Sequence, residues 1–249
     1  MAQMILGIPV ENGTKKSVLE KIKKYIGTTT EFVHIVSLNP EIMVEAVNNQ
    51  VFNKIVRTAQ VRITDGIGVV LAGRILGRPV GERLTGVELV EELVKYAAYA
   101  ERPIMLIGGG DKIAEKLAKC YSSKYPSGRF LGVQGYKNKY KPTKEEDEKL
   151  FSIVAEMAPQ IVFVSFGSPW SETWLYENRE RLQGMVCASV GGAFDYLSDT
   201  VQRPPRVVRR IGMEWLWRLI TQPWRWKRQL KLITFILLIL RERFTGSYK

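Results

Sequence analysis

Apolar runs of strand length recur along most of the chain, separated by helix-length stretches whose apolar positions follow a period near 3.6. The runs are FVHIVSLN (32–39), VRITDG (61–66), PIMLIGGG (103–110), FLGVQGY (130–136), IVFVSFGS (161–168) and MVCASVGG (185–192). Several are apolar on both faces, which predicts parallel strands covered by helices on two sides. The intervening patterns predict helices over 15–26, 40–58, 86–100, 112–125 and 143–157. Thr14 is the N-cap candidate for the first of these, and Thr143 with Glu146 makes a Thr-x-x-Glu capping box at the last. The alternation predicts an α/β fold with a mostly parallel sheet flanked by helices.

The pattern changes near residues 199–203, where QRPPRVVRR begins a basic, tryptophan-rich segment. This predicts two units, an α/β core over 1–198 and a helical appendage over 199–249. Pro223 divides the appendage into predicted helices over 206–221 and 224–243. Its apolar run LITFILLIL (232–240) grows to eleven residues with Leu230 and Lys231. At roughly 16 Å that is about half of a bilayer's hydrocarbon thickness, too short for one crossing. Two readings remain. Basic flanks and Trp215, Trp217, Trp224 and Trp226 suit a helix lying at an anionic membrane surface, while the apolar run also suits packing on the core or on another subunit.

Charge sharpens this division. The 249 residues carry a formal charge of +12, and from Arg203 onward twelve Lys/Arg face two acids, leaving about +2 for the rest. The partner of the basic end is therefore anionic: phosphate, nucleic acid or acidic lipid. Composition is otherwise ordinary for a globular protein. Two cysteines in apolar contexts suggest no disulfide framework. The N-terminus lacks the charged start and long apolar stretch of a signal peptide, so a cytoplasmic location is expected.

In parallel sheets ligands bind beyond the carboxyl ends of the strands. Those ends read Ser37-Leu38-Asn39, Thr64-Asp65-Gly66, Gly108-Gly109-Gly110-Asp111, Gly135-Tyr136, Gly167-Ser168 and Gly191-Gly192. Small residues there allow close approach of a ligand, and the helix starts that follow favour an anion such as a nucleotide diphosphate. Neither GxGxxG nor GxxxxGK[ST] is present. Asp65 is a candidate general base, or alternatively a helix N-cap. Arg83 is a candidate phosphate clamp, or a surface charge. The single histidine, His34, lies inside a predicted strand, and no His/Cys cluster, D-x-D or GxSxG elbow appears, so no dedicated metal site is expected.

The stretches VSLNPEIMVEA, RITDGIGVVLAGRILG, ERLTGVELVEEL, IGGGDK, SFGSPWSETWLYEN, VGGAFDYLS and QRPPRVVRRIGMEWLWRLITQPWRWKRQL occur in order over nearly the whole chain. Together they resemble the WecG/TagA/CpsF glycosyltransferases, glycosyltransferase family 26. The resemblance implies a Rossmann-like core, metal-independent inverting transfer without a cofactor, and an appendage that reaches the inner face of the cell membrane. The branch it resembles most moves N-acetylmannosamine from UDP-ManNAc to undecaprenyl-diphosphate-linked GlcNAc in β-1,4 linkage, starting wall teichoic acid. Other members use ManNAcA, glucose or galactose donors.

The same resemblance implies roles for single residues. Asp65 matches the proposed base, and Asn39, Arg83 and Asp195 match nucleotide-sugar pocket positions. Gly108, Gly109, Tyr136 and Ser168 lie at the strand ends expected to line that pocket. Arg218, Arg225 and Arg228 match appendage arginines that approach the diphosphates. Two further residues expected in the nucleotide-sugar pocket depart from the pattern: Ser37 stands where Thr is common, and Ser171 where Gln is usual. A homo-oligomer that rearranges at the membrane is expected. The rival classes are a nucleic-acid-binding module using the basic tail, disfavoured by the apolar block beside the arginines, and a nucleotide-dependent oxidoreductase, disfavoured by the missing glycine fingerprint.

Overall fold

The computed structural model describes residues 3–223 and 226–246, apart from the side chains of Arg210, Lys227 and Arg228. The chain opens with an antiparallel hairpin of β1 (Gln3–Ile5) and β2 (Ile8–Val10), followed by α1 (Lys15–Tyr25). Thr14 caps α1, its hydroxyl accepting the Ser17 N–H at 3.1 Å. Next come β3 (Val33–Leu38), α2 (Pro40–Asn48), α3 (Gln50–Thr58), β4 (Val61–Thr64) and α4 (Ile67–Ile75). They lead into α5 (Gly86–Tyr99), β5 (Ile104–Gly108), α6 (Ile113–Lys124), β6 (Phe130–Val133) and α7 (Lys144–Met157). The core then adds β7 (Ile161–Ser165), α8 (Trp170–Glu177), β8 (Val186–Ser189) and α9 (Ala193–Leu197). The C-terminal region holds α10 (Arg206–Arg210), α11 (Glu214–Thr221) and α12 (Trp226–Thr245).

Strands β3 to β8 form one parallel sheet in the order β4-β3-β8-β7-β5-β6. The double-sided apolar runs have a direct cause in this arrangement. Ile104 and Leu106, with Ile161 and Phe163, enter the cluster under α1, α5 and α6. Their neighbours Met105, Ile107, Val162 and Val164 point the other way, into the cluster under α7 and α8. Beside it, Val36 and Leu38 pack with the hairpin, α2, α3, α4 and α12. Successive strand residues face opposite sides, so a strand buried between two helical layers needs apolar residues at every position.

Several boundaries differ from the pattern's expectation, each for a local reason. Strands β6, β7 and β8 stop before their terminal small residues, whereas β5 runs to Gly108 and β3 includes Ser37. The helix expected over 40–58 breaks at Asn49, whose side chain accepts the Phe52 N–H at 3.0 Å and starts α3. Asn competes in this way with continuous helix hydrogen bonding. Helix α4 was not foreseen because IGVVLAGRI has no polar face: Val69 and Ala72 are buried, while Leu71 and Ile75 stay exposed. The helix expected over 206–221 divides into α10 and α11 around Gly212, which has φ +74° and lies against Ile67.

The turn after α9 that follows residue 198 is exposed, yet α12 returns to the core. Phe235 and Ile239 are buried in the cluster with α2 and α4. Gly68 makes room for this contact, since a Cβ there would strike Pro40 and touch Phe235. Glu242 is 3% exposed, accepts the Leu6 N–H at 2.9 Å and pairs with Arg78. Lys231 pairs with Glu45 at 2.7 Å nearer the surface. The opposite stripe of α12, Ile233, Ile236, Leu237, Leu240 and Phe244, faces outward, with Phe244 85% exposed. No helix among the described residues is long and apolar enough to cross a membrane.

The buried carboxylate of Glu242 makes Arg78 the more costly partner to lose. Arg78→Ala is expected to destabilise the protein by about 3 kcal/mol, because it strands an unpaired buried charge. Lys231→Ala at the exposed pair should cost less than about 1 kcal/mol. Denaturant unfolding of the two variants checks the contrast, and equal losses would contradict it.

Candidate active site

A cavity of about 920 Å³ opens beyond the carboxyl ends of β4, β3, β8, β7 and β5, closed on one side by α11 and α12. Ser37, Asn39, Asp65, Arg83, Gly109, Ser168, Asp195 and Arg218 line it together, from positions spread over most of the chain. Its outer lip is apolar, formed by Leu71 and Ile75 of α4 opposite Ile236 and Leu240 of α12.

Asp65 extends the β4 ladder by one step, its N–H bonding the Leu38 carbonyl at 2.9 Å. It does not cap α4, whose N-cap is Gly66, but its carboxylate accepts the N–H of Gly86 at the first residue of α5. Burial pushes the Asp65 carboxyl up to about 6. Arg83 pulls it down, Glu214 pushes it up, and Arg218 and the Gly86 N–H pull it down again. A carboxyl of this kind is ionised at neutral pH yet basic enough to accept a hydroxyl proton.

Arg83 is held by three parts of the chain. Its Nε donates to the Asp65 carbonyl at 2.6 Å, one terminal nitrogen donates to the Arg209 carbonyl at 3.0 Å, and the other pairs with Glu214. Loop placement follows from the adjacent backbone. The Leu84 N–H bonds the Thr64 carbonyl at 2.8 Å, and Thr85 and Glu88 form a capping box that starts α5. Arg218 stacks over the Tyr196 ring at 4.2 Å, donates to its hydroxyl, and donates to the Gly192 carbonyl at 3.2 Å. Asn39 caps α2 by accepting the Ile42 N–H at 3.0 Å. Ser37 presents a buried hydroxyl without a protein partner.

Three expected pocket residues do other work. Tyr136 is buried in an aromatic group with Phe166 and Trp174, its hydroxyl donating to Asp147 at 2.6 Å and accepting from Trp174 at 2.8 Å. Ser171 is 1% exposed; its Oγ accepts the Phe166 N–H at 2.9 Å and bonds the Gly167 carbonyl, bracing the β7–α8 turn instead of facing the cavity. Gly108 lies behind the lining, where a Cβ would strike Phe166 and the Ser165 carbonyl. Gly108, Gly109 and Gly110 have φ of +90°, +89° and +96°, a turn that only glycine adopts readily. Arg225 and the side chain of Arg228 lie outside the described residues.

The cavity also contains groups that strand-end reasoning did not single out. Lys139 reaches in from the β6–α7 loop and donates to the Phe166 carbonyl. Glu172 is buried, its Oε1 accepting from Ser189 at 2.7 Å, and burial raises its pKa. Glu172 lies within the SFGSPWSE stretch and Glu214 within IGMEW, so quoted motifs contained both; Lys139 sits in a polar loop with no signal. Among the described residues no group of three or more His, Cys, Asp or Glu is arranged to hold a metal ion.

Comparison with known proteins agrees with this architecture. A family model described as "Glycosyl transferase WecG/TagA/CpsF family" matches residues 3–249. Among similar curated proteins are the N-acetylglucosaminyldiphosphoundecaprenol N-acetyl-beta-D-mannosaminyltransferases of Staphylococcus aureus strains NCTC 8325 / PS 47 and COL. Each is 28% identical over 225 residues, covering 90% of this chain and 85% of the relative. The match spans both the strand-end cavity and the helices that close it, and the chain belongs to the WecG/TagA/CpsF family of glycosyltransferases.

Proposed function

We propose that this chain transfers N-acetylmannosamine from UDP-ManNAc to the GlcNAc of an undecaprenyl-diphosphate-linked acceptor, forming a β-1,4 linkage in wall teichoic acid assembly. The observation that carries the reading is the cavity's composition. A basic carboxyl and two arginines lie at its base, and an apolar lip suited to a lipid-linked acceptor lies at its mouth. The relatives' name describes a transfer of this kind.

In this reading Asp65 takes the proton of the acceptor hydroxyl as that oxygen bonds to the anomeric carbon. The bond from that carbon to the diphosphate breaks, and UDP departs with the electron pair. Attack from the face opposite the leaving group inverts the anomeric centre. The departing charge is met by cationic side chains and backbone N–H groups without a metal ion. Arg218, Arg225 and Arg228 belong to this basic arm. The outward stripe of α12 rests on the inner leaflet, and a homo-oligomer covers that stripe until lipid is present.

The test is turnover of a panel of UDP-sugars with a short-chain lipid-diphosphate-GlcNAc, with and without chelator, detecting UDP and disaccharide-lipid. Turnover should be greatest with UDP-ManNAc and should survive chelation; preference for another donor would move the chain to a different branch. Asp65→Asn should lower kcat by about 10²–10⁴, the usual contribution of a positioned general base. Wild-type kcat/KM should fall as pH drops through about 6, because the carboxylate is the active form. Glu214→Gln removes a negative charge that raises the Asp65 pKa, so this acid limb should move to lower pH. A limb that stays in place in Glu214→Gln would separate it from Asp65. Leu237→Glu with Phe244→Glu should reduce sedimentation with anionic vesicles at least about tenfold while leaving the unfolding midpoint near wild type, since each exposed apolar side chain contributes about 1.5–3 kcal/mol on burial.

A further inference from the structure

Resting on that reading, we infer that Lys139, over the β7–α8 turn, is a cation that contacts the donor's diphosphate in addition to the basic arm. The argument begins with what the two arginines already hold. Arg83 is engaged through Nε and both terminal nitrogens, by two carbonyls and the Glu214 carboxylate. Moving it to a phosphate would break the tie between the catalytic strand end and α11. Arg218 is stacked on Tyr196 and bonded to a hydroxyl and a carbonyl.

Lys139 is bound much less firmly. Its ammonium donates to the Phe166 carbonyl and lies 5.2 Å from the centre of the Tyr140 ring. It takes part in none of the ion pairs among the described residues. A lysine ammonium is a compact charge on a four-carbon stem, so a modest rotation carries it to an incoming anion. Its position is directed. The Nζ lies 3.5 Å from where a Cβ on Gly167 would stand, directly over the β7–α8 turn. That turn and the Gly109–Gly110 turn both line the cavity and follow adjacent strands, the Gly109 N–H bonding the Ser165 carbonyl at 2.9 Å. Gly167 has φ +84°, so no side chain intervenes between the turn and the ammonium.

Helix α6 starts just beyond the Gly109–Gly110 turn with no side-chain cap, and its first N–H groups add to the anion's surroundings. The ligand class that fits is a nucleoside diphosphate whose phosphates lie against the two glycine turns. The increase in charge as the sugar bond breaks then falls beside a mobile cation, while Asp65 works from the β4 side of the cavity.

Titration of the full chain with UDP, UMP and uridine tests this, using wild type, Lys139→Ala and Lys139→Arg. Lys139→Ala should weaken UDP about tenfold, the effect of one charge-assisted hydrogen bond, with a smaller loss for UMP and none for uridine. Lys139→Arg should recover most of the UDP affinity, and KM for the donor should follow the same order. Unchanged UDP affinity in Lys139→Ala would overturn the inference. So would an equal loss for uridine, which would mean that the loop had moved instead of a phosphate contact being removed. A wild-type chain that binds no UDP at all would remove both this inference and the proposed donor.

Discussion

The arrangement of the catalytic end depends on the Arg83 guanidinium and the three groups it joins. One is the carbonyl of Asp65, at the tip of a central strand; the second is the carbonyl of Arg209, in α10; the third is the carboxylate of Glu214, at the start of α11. A planar, permanently charged fork can bond three differently directed acceptors at once, and lysine cannot reproduce that geometry. The contact fixes the residue proposed as base relative to the helices that cover it. It also places Glu214 close enough to oppose the two arginines in setting the Asp65 carboxyl. A group read from the sequence as a phosphate clamp or a surface charge here ties the sheet to its cover while also lining the cavity.

The parallel sheet was legible because burial on two faces forces apolar residues at consecutive positions, which a single sequence displays directly. The position of Asp65 was legible for a related reason: it directly follows such a run, and it falls in the cavity at the strand ends, while the cap of α4 belongs to Gly66. Glycine turns were legible as turns, though not as lining or backing. Gly109 faces the cavity and Gly108 stands behind it, a difference decided by contacts with Phe166 and Phe194. Tyr136 and Ser171 went astray by the same mechanism. Each follows a strand end closely enough to reach a ligand, but the side chain turns away to bond a partly exposed carboxylate or a turn amide. Lys139 left no trace in the pattern because its place in the cavity comes from where a polar loop folds back, and periodicity carries no information about that.

The run LITFILLIL looked ambiguous between core packing and membrane contact because it carries two apolar faces, one buried on the core and one exposed, separated by helical phase. Phe235, Ile239 and Glu242 recur at spacings of four and three residues, which keeps them on one face of α12 toward the sheet. Ile233, Ile236, Leu237, Leu240 and Phe244 follow the complementary spacing and look outward. A helix apolar all round therefore needs two partners, and the core supplies only one. The arrangement also explains why a carboxylate lies buried near the helix's end. Glu242 ties α12 to Arg78 and to the hairpin's Leu6 N–H, an anchor that apolar contact alone would not fix in rotation. With that phase fixed, Ile236 and Leu240 fall at the cavity's lip, opposite Leu71 and Ile75. The exposed stripe thus continues into the wall of the site, which is the geometry that the proposed acceptor, with a lipid tail and a charged head, requires to reach Asp65.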